Sequence, residues 1–371
     1  MLRFLIMFFV SYVVKCDDSS RYSLIGAPEY ENSPRDTPFL VYWNVPTIQC
    51  KAKNIPFHHL HEKYGIIQNR GDSFRGEIIS LLYDPGAFPA LLKKEDGEFK
   101  YRNGGVPQEG DLDVHLNAFR KELDRSIPDR NFNGLGVIDF ESWRPVFRQN
   151  NGVLVPYREV SLEIEKSRHS WWPKERLLNE ARERYEAAGR EFMEATLVMA
   201  KKLRPRAVWG YYGFPYCFNM VPSHMEESCA NGIEEENDNI GWLWSKSVGL
   251  YPSVYTKRIR PKKQAELIRG RITEANRVKA PGTIVVPYFW FKYLDGGFLS
   301  EHDMNMSLKT LYDANVDGII IWGSSADVNT ADKCLELQDY LEQILGPAIA
   351  RYTKFRRLDE ENGDDPYISG V

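Results

Sequence analysis

A chain of 371 residues that is 43% hydrophobic and 27% charged is globular, not disordered or collagenous. Its 48 Lys and Arg against 52 Asp and Glu leave a formal charge of -4, which argues against a nucleic-acid binder working through bulk positive charge. The length allows one large domain or two ordinary ones.

The chain opens with MLRFLIMFFVSYVVKC, where Arg3 precedes an apolar stretch from Phe4 to Val14. Val14 and Cys16 are suitably placed for a cut before Asp17, so 1–16 reads as a secretory signal peptide and the protein as secreted and extracellular. That stretch is too short for a comfortable span, and no later one reaches the ~18 apolar residues a membrane anchor needs. Residues 17–37 are mostly polar, with Pro28 and Pro34, and read as a flexible leader. Residues 38–350 read as one barrel domain, and 351–371 as a polar, acidic tail.

Within the domain, short apolar runs rich in Val, Ile and aromatics alternate with helical stretches. The runs are Phe39–Val45, Glu77–Tyr83, Leu135–Phe140, Ala207–Tyr212, Tyr251–Tyr255, Thr283–Phe291 and Gly318–Trp322. Near-continuous hydrophobicity marks strands buried on both faces. Helices are expected at Leu112–Arg125, Pro173–Lys202, Lys262–Lys279, Leu308–Ala314 and Ala331–Leu345. This alternation predicts an α/β fold with a parallel sheet, closed into a distorted TIM-like barrel of about seven parallel strands. An open doubly wound sheet is the competing topology, weakened because no GxGxxG follows the first strand.

Cys16 leaves with the signal peptide, and Cys50, Cys217, Cys229 and Cys334 remain. Four cysteines in an oxidising compartment suggest two disulfides, with three possible pairings. Local spacing favours Cys217–Cys229, which leaves Cys50–Cys334. Chain entropy would make the short loop worth about 3 kcal/mol and the long one about 5 kcal/mol, as upper figures. His58, His59 and His61 lack a metal-ligand pattern, so no metal and no cofactor are expected. Asn305-Met306-Ser307 is a glycosylation sequon.

In a barrel, function belongs at the C-terminal ends of the strands. Those ends carry Tyr83-Asp84, Asp139-Phe140-Glu141, Tyr211-Tyr212, Tyr255, Trp290 and Trp322-Gly323-Ser324-Ser325. Acids and aromatics at so many ends suggest a carbohydrate cleft with an acidic centre. Asp139 and Glu141 stand two apart, so an extended strand turns both to one face. Two carboxyls this close, beside Val137, Ile138 and Phe140, resist joint ionisation, and one stays protonated near neutral pH. That proton can go to a glycosidic oxygen. A lone D-x-E also fits a metal-ligand pair or a helix cap. Two acids on one strand cannot flank a sugar ring, which favours a route in which the sugar's own 2-acetamido oxygen attacks. Glu141 would then donate the proton, Asp139 would orient the acetamido nitrogen, and Tyr212, Tyr255 and Trp322 would surround the group.

The segments GLGVIDFESWRPVFRQN, VYWNVPT (41–47), YDPGAFPALL (83–92), RNGGVPQ (102–108), WGYYGFPYC (209–217), PSVY (252–255) and IIIWGSSADVNT (319–330) closely resemble, in uninterrupted order over roughly 39–350, the hyaluronidases of glycoside hydrolase family 56, nearest the insect venom and salivary type. The resemblance implies a distorted barrel and retaining endo-hydrolysis of the β-1,4 bond between N-acetylglucosamine and glucuronate in hyaluronan. It implies Glu141 as proton donor and Asp139 as the acetamido-positioning acid. It also places Tyr212, Tyr255 and Trp322 in the acetamido pocket, Tyr83, Asp84, Ser324 and Ser325 in the cleft, and Arg144 and Arg271 at or near the groove. The family pairing of the cysteines agrees with the one favoured by spacing. Arg144 equally suits pairing with a buried acid, Arg271 a structural bridge from its helix, and Ser324 and Ser325 a helix cap. With no cysteine after Cys334, no EGF-like module is expected. A monomer is expected, with hyaluronan as partner, or chondroitin in a variant reading, and neither nucleic acid nor membrane. The rival readings are a chondroitin-preferring hydrolase, an inactive glycan-binding homologue and a metal-dependent barrel hydrolase. Retention of both acids speaks against the inactive homologue.

Overall fold

The computed structural model describes residues 39–353. The expected signal peptide and leader, and all but the first residues of the expected tail, lie outside these. The parallel strands are β1 (Leu40–Asn44), β2 (Ile66–Gln68) and β3 (Ile79–Tyr83), then β6 (Leu135–Asp139), β7 (Val208–Tyr211), β8 (Gly249–Leu250), β9 (Ile284–Val285), β10 (Tyr288–Trp290) and β11 (Gly318–Trp322). An antiparallel hairpin, β4 (Ala90–Lys93) and β5 (Phe99–Arg102), interrupts the alternation.

The ladders run β10-β11-β1-β2, β3-β6-β7 and β8-β9, all parallel. Single bridges, Tyr212 with Tyr251 and Ser253 with Tyr288, join these groups. Between β2 and β3 no ladder forms. The side-chain amide of Asn69, 1% exposed, substitutes for it. Its Nδ2 donates to the carbonyls of Ser73 (2.8 Å) and Ile79 (2.9 Å), and its Oδ1 accepts from the N–H of Ile78 (2.9 Å) and Ile79 (3.0 Å). One amide thus satisfies backbone groups that the missing ladder would leave unpaired.

Period two divides the core. Leu40, Tyr42, Ile79, Leu81, Leu135, Val137, Val208, Tyr251, Val286, Tyr288 and Ile320 pack together inside the barrel. Their alternates, among them Val41, Trp43, Leu82, Ile138 and Ile321, pack outward against the helices. Both faces are buried, which is why the strands read as continuous apolar runs.

Several boundaries differ from the sequence expectation. The run at 251–255 is ladder-bonded only just before it, at Gly249–Leu250, because Pro252 has no N–H to give. Pro287 splits the run at 283–291 into β9 and β10 in the same way. The helix expected from Leu308 starts at Glu301, where the Ser300 hydroxyl caps the Asp303 N–H at 3.1 Å. The helix Val155–Arg168, strand β2 and the β4–β5 hairpin were not expected. The long helix runs Lys174–Leu203, within one residue of expectation. Both favoured disulfides form, Cys50–Cys334 and Cys217–Cys229. The sequon residue Asn305 is half-buried inside the helix Glu301–Asp313, and Ser307 is fully buried, accepting from Gln264 Nε2 at 2.9 Å. An exposed loop, the usual setting of such a sequon, is not what the fold provides here.

Asn69→Ala removes four hydrogen bonds from a buried site and leaves backbone groups unpaired. It is expected to lower stability by about 3 kcal/mol, read as a drop in the urea midpoint without loss of secondary structure.

Candidate active site

The inward series of each strand continues one step past the filled interior. After Ile79 and Leu81 comes Tyr83; after Leu135 and Val137 come Asp139 and then Glu141. After Val286 and Tyr288 comes Trp290, and after Ile320 comes Trp322. Leu81, Asp139, Glu141, Tyr212, Tyr255, Tyr288, Trp290, Leu294 and Trp322 line one cavity of about 240 Å³ at the barrel mouth. Phe140 points the opposite way, stacked on Phe88 (4.0 Å) and edge-on to Trp143 (4.9 Å), which locks the turn of chain between the two acids.

Asp139 sits half-buried at the end of β6, and Glu141 projects further into the open cleft. Their carboxyls are hydrogen-bonded to each other. Burial pushes Asp139 up from 3.8 to about 8, and the neighbouring Glu141 charge, the shared hydrogen bond and the Asp84 charge add to the rise. Burial also raises Glu141, opposed by the hydrogen bond from Asp139 and by the Arg144 charge. Both carboxyls are raised and hydrogen-bonded, which favours one proton shared by the pair, with Asp139 raised further by its deeper burial.

Rings form the walls. Tyr255 stacks on Trp322 (5.6 Å, 20°), Trp290 meets Trp322 edge-on (5.6 Å), and Tyr212 meets Tyr288 edge-on (5.1 Å). Burial raises the Tyr212 and Tyr255 phenols, so both keep their protons and can donate. Tyr83 stands on the rim, stacked on Phe74, and accepts from Trp322 Nε1 at 3.0 Å.

Other expected residues lie around this pocket instead of lining it. The Asp84 carboxylate is held by Arg102 through two bonds of 2.6 and 2.8 Å, and its N–H donates to the Asp139 carbonyl at 2.7 Å. Arg144 lies over the rings of Tyr216 (4.7 Å) and Phe218 (5.0 Å) and donates to the Gln149 carbonyl at 2.7 Å. It reaches the site through its charge on Glu141. Arg271 donates to Asn219 Oδ1 (2.9 Å) and to the carbonyls of Ser253 (2.8 Å) and Tyr255 (3.4 Å). It holds the backbone that carries Tyr255, and burial lowers it to about 10. Ser324 caps the turn Ser325–Asp327, and Ser325 is exposed beside it. The run 257–263 is divided, with Arg258 over Tyr293 and Pro261 opening a helix.

Tyr288, Leu81 and Leu294 belong to the pocket but were not expected there, and Trp290, expected at a cleft strand end, had been given no role. Trp290 was legible: it continues the inward series of Val286 and Tyr288. Asp327 fixes it, accepting from Trp290 Nε1 (3.1 Å), Lys292 Nζ (2.8 Å) and the Ser324 N–H (2.8 Å). Among the described residues, the one group of three potential metal ligands is Cys229, Glu234 and Glu274, and the Cys229 sulfur is committed to a disulfide.

A proton held between carboxyls, walled by rings that stack on pyranoses at the mouth of a parallel barrel, places the protein among the glycoside hydrolases. More narrowly, the chain belongs to glycoside hydrolase family 56, the hyaluronidase family, whose profile matches residues 29–358. It is 46% identical over 333 residues to a hyaluronidase of Apis mellifera, covering 88% of this chain and 87% of that one. It is 44% identical over 322 residues to one of Dolichovespula maculata, covering 85% and 97%. A third relative, "Hyaluronidase Tab y 2.0101" of Tabanus yao, is 44% identical over 322 residues, covering 85% and 92%. The crystal structure of bee venom hyaluronidase in complex with a hyaluronic acid tetramer superposes with a TM-score of 0.83 at 47% identity, covering 85% of this chain and 99% of that one. The expected fold class, a distorted (β/α) barrel, is thereby shown.

A raised folded-state pKa makes the protonated form of Asp139 the stabilising one. Its contribution is fully present below about pH 4 and is lost as pH rises toward 8. Wild type is therefore expected to lose Tm relative to Asp139→Asn as pH rises from 4 to 8. Parallel melting curves over that range test the sign. Asp72, raised by burial to about 7, is present in both proteins and drops out of the comparison.

Proposed function

We propose that the protein is a secreted endo-β-N-acetylhexosaminidase. It hydrolyses the β-1,4 bond between N-acetylglucosamine and glucuronate in hyaluronan, with retention, by substrate-assisted catalysis. The observation that carries this reading is the hydrogen-bonded Asp139–Glu141 pair in an aromatic pocket. In ordinary retaining enzymes the two carboxyls stand ~5 Å apart across the sugar, one as nucleophile. Acids in contact with each other on one wall leave no second carboxylate for the opposite face. The nucleophile then comes from the substrate.

The steps balance as follows. The acetamido carbonyl oxygen attacks C1 and the C1–O glycosidic bond breaks, with the Glu141 proton going to the leaving oxygen. A cyclic oxazolinium forms, its N–H held by the Asp139 carboxylate. Water then attacks C1, Glu141 takes its proton, and the ring reopens with net retention. In the free protein the shared proton lies on Asp139. An amide N–H donated to Asp139 by the bound sugar favours its ionised form, and the proton passes along the existing hydrogen bond to Glu141. Tyr212 and Tyr255 donate to the acetamido oxygen, and Trp322 closes the pocket behind the methyl. The two disulfides suit an oxidising, extracellular setting.

Glu141→Gln is expected to fold with both disulfides yet lose ~100- to 10,000-fold in rate. The chain length of high-molecular-weight hyaluronan, followed by gel or light scattering with chelator present, reads this out. Wild-type turnover by the variant contradicts the donor assignment. Cleavage of unsulfated chondroitin in preference to hyaluronan replaces the substrate but keeps the mechanism, since the two 2-acetamido sugars differ at C4.

A further inference from the structure

The helix Lys174–Leu203 delivers the chain to the start of β7, so its N-terminus points to the mouth end of the barrel. At 1.5 Å per residue it is ~45 Å long, against ~17 Å for a five-residue strand, so its first turns project past the barrel. A loop, 169–173, joins it to the helix Val155–Arg168. Arg168 and Arg184 both pair with Glu109 (2.7 and 3.5 Å), in the turn Pro107–Glu109 that follows β5. The tip is thus tied to the same side as Arg102, which holds Asp84 at the pocket.

The tip is rigid and aromatic. Trp172 is stacked on His169 (3.8 Å, 5°) and carries the Arg176 guanidinium 3.7 Å from its ring centre. Two groups that close must lie on opposite faces of the indole. Trp171 meets Trp172 edge-on at 6.4 Å and is itself 78% exposed. Lys166 is paired with Glu163 and Arg168 with Glu109, whereas exposed Lys174 and Arg176 have no carboxylate partner among the described residues. An exposed indole, Trp171, beside an anchored one, Trp172, with Lys174 and the Trp172-stacked Arg176 free of carboxylate partners, gives the tip an aromatic, cationic character on a protein of net charge -4.

We propose that the Trp171 tip is a second contact for the anionic polysaccharide, outside the active-site pocket. Trp171 stacks on a sugar ring, and Lys174 and Arg176 meet the chain's carboxylates. This rests on the hyaluronan reading above. A pocket of about 240 Å³ holds little of a long polymer, and the remainder crosses the mouth end where the tip projects. Of the two adjacent indoles only Trp171 is exposed, Trp172 being covered by His169 and Arg176, so the tip lacks the broad apolar face that a bilayer surface requires and a charged sugar polymer fits better than lipid.

The test compares Trp171→Ala and Lys174→Gln/Arg176→Gln with wild type on long hyaluronan and on a short oligosaccharide that fills only the pocket. The ratio of kcat/KM, polymer over oligosaccharide, is expected to fall about 3- to 10-fold, through KM. The Lys174/Arg176 effect should shrink as salt rises, while the Trp171 effect persists. An active enzyme whose ratio is unchanged in both variants, with unchanged circular dichroism, overturns the proposal alone. An unchanged ratio with Trp171-dependent sedimentation on anionic vesicles overturns it in favour of a membrane surface. A wild type inactive on both substrates overturns the hyaluronan reading and this proposal together.

Discussion

The pleat of β6 sets the chemistry of this molecule. Leu135 and Val137 point into a packed interior, and the same two-residue period turns Asp139 and Glu141 to the same side once the packing ends. Asp139 closes β6 and Glu141 lies two residues on, just past the strand, so only Phe140 separates the acids. The buried alternates Ile138 and Phe140 hold that end in register from behind. Neighbouring strands obey the same rule and supply Tyr83, Trp290 and Trp322 around the pair.

Electrostatics then follow from depth. Asp139 lies nearer the low-dielectric interior and is raised most, while Glu141 is closer to solvent and to the Arg144 charge. The two carboxyls hold one proton in a bond that a substrate amide can reorganise. Asp84, just past β3 and held by Arg102 of β5, braces the pair through the Asp139 carbonyl, and Arg271 braces Tyr255 from behind. These charged residues act on the site without lining the pocket.

Much of this was legible in the chain. Continuous apolar runs gave away strands buried on both faces, and the D-x-E spacing placed both acids correctly on one wall. The limits were physical too. Pro252 and Pro287 removed ladder donors from runs that read as whole strands. The closure role of Asn69 depends on contacts with residues four to ten positions away that no periodicity reveals. Arg271 suited a structural bridge from its helix, but helical spacing could not tell that its partners would be Asn219 and the Ser253 carbonyl and not an acid. Trp290 was read at a strand end of the cleft but given no role, although its register with Tyr288 and Val286 pointed to the pocket.

The central claim is that Asp139 and Glu141 share a proton near neutral pH in the free protein. Its most direct test is a pH titration of the two side-chain carboxyls by ¹³C NMR, using Asp- and Glu-labelled protein with Asp139→Asn and Glu141→Gln for assignment. One coupled carboxyl pair titrating well above the ordinary range, with Asp139 the higher of the two, is the predicted result. Two independent carboxyls titrating near 4 would contradict the account.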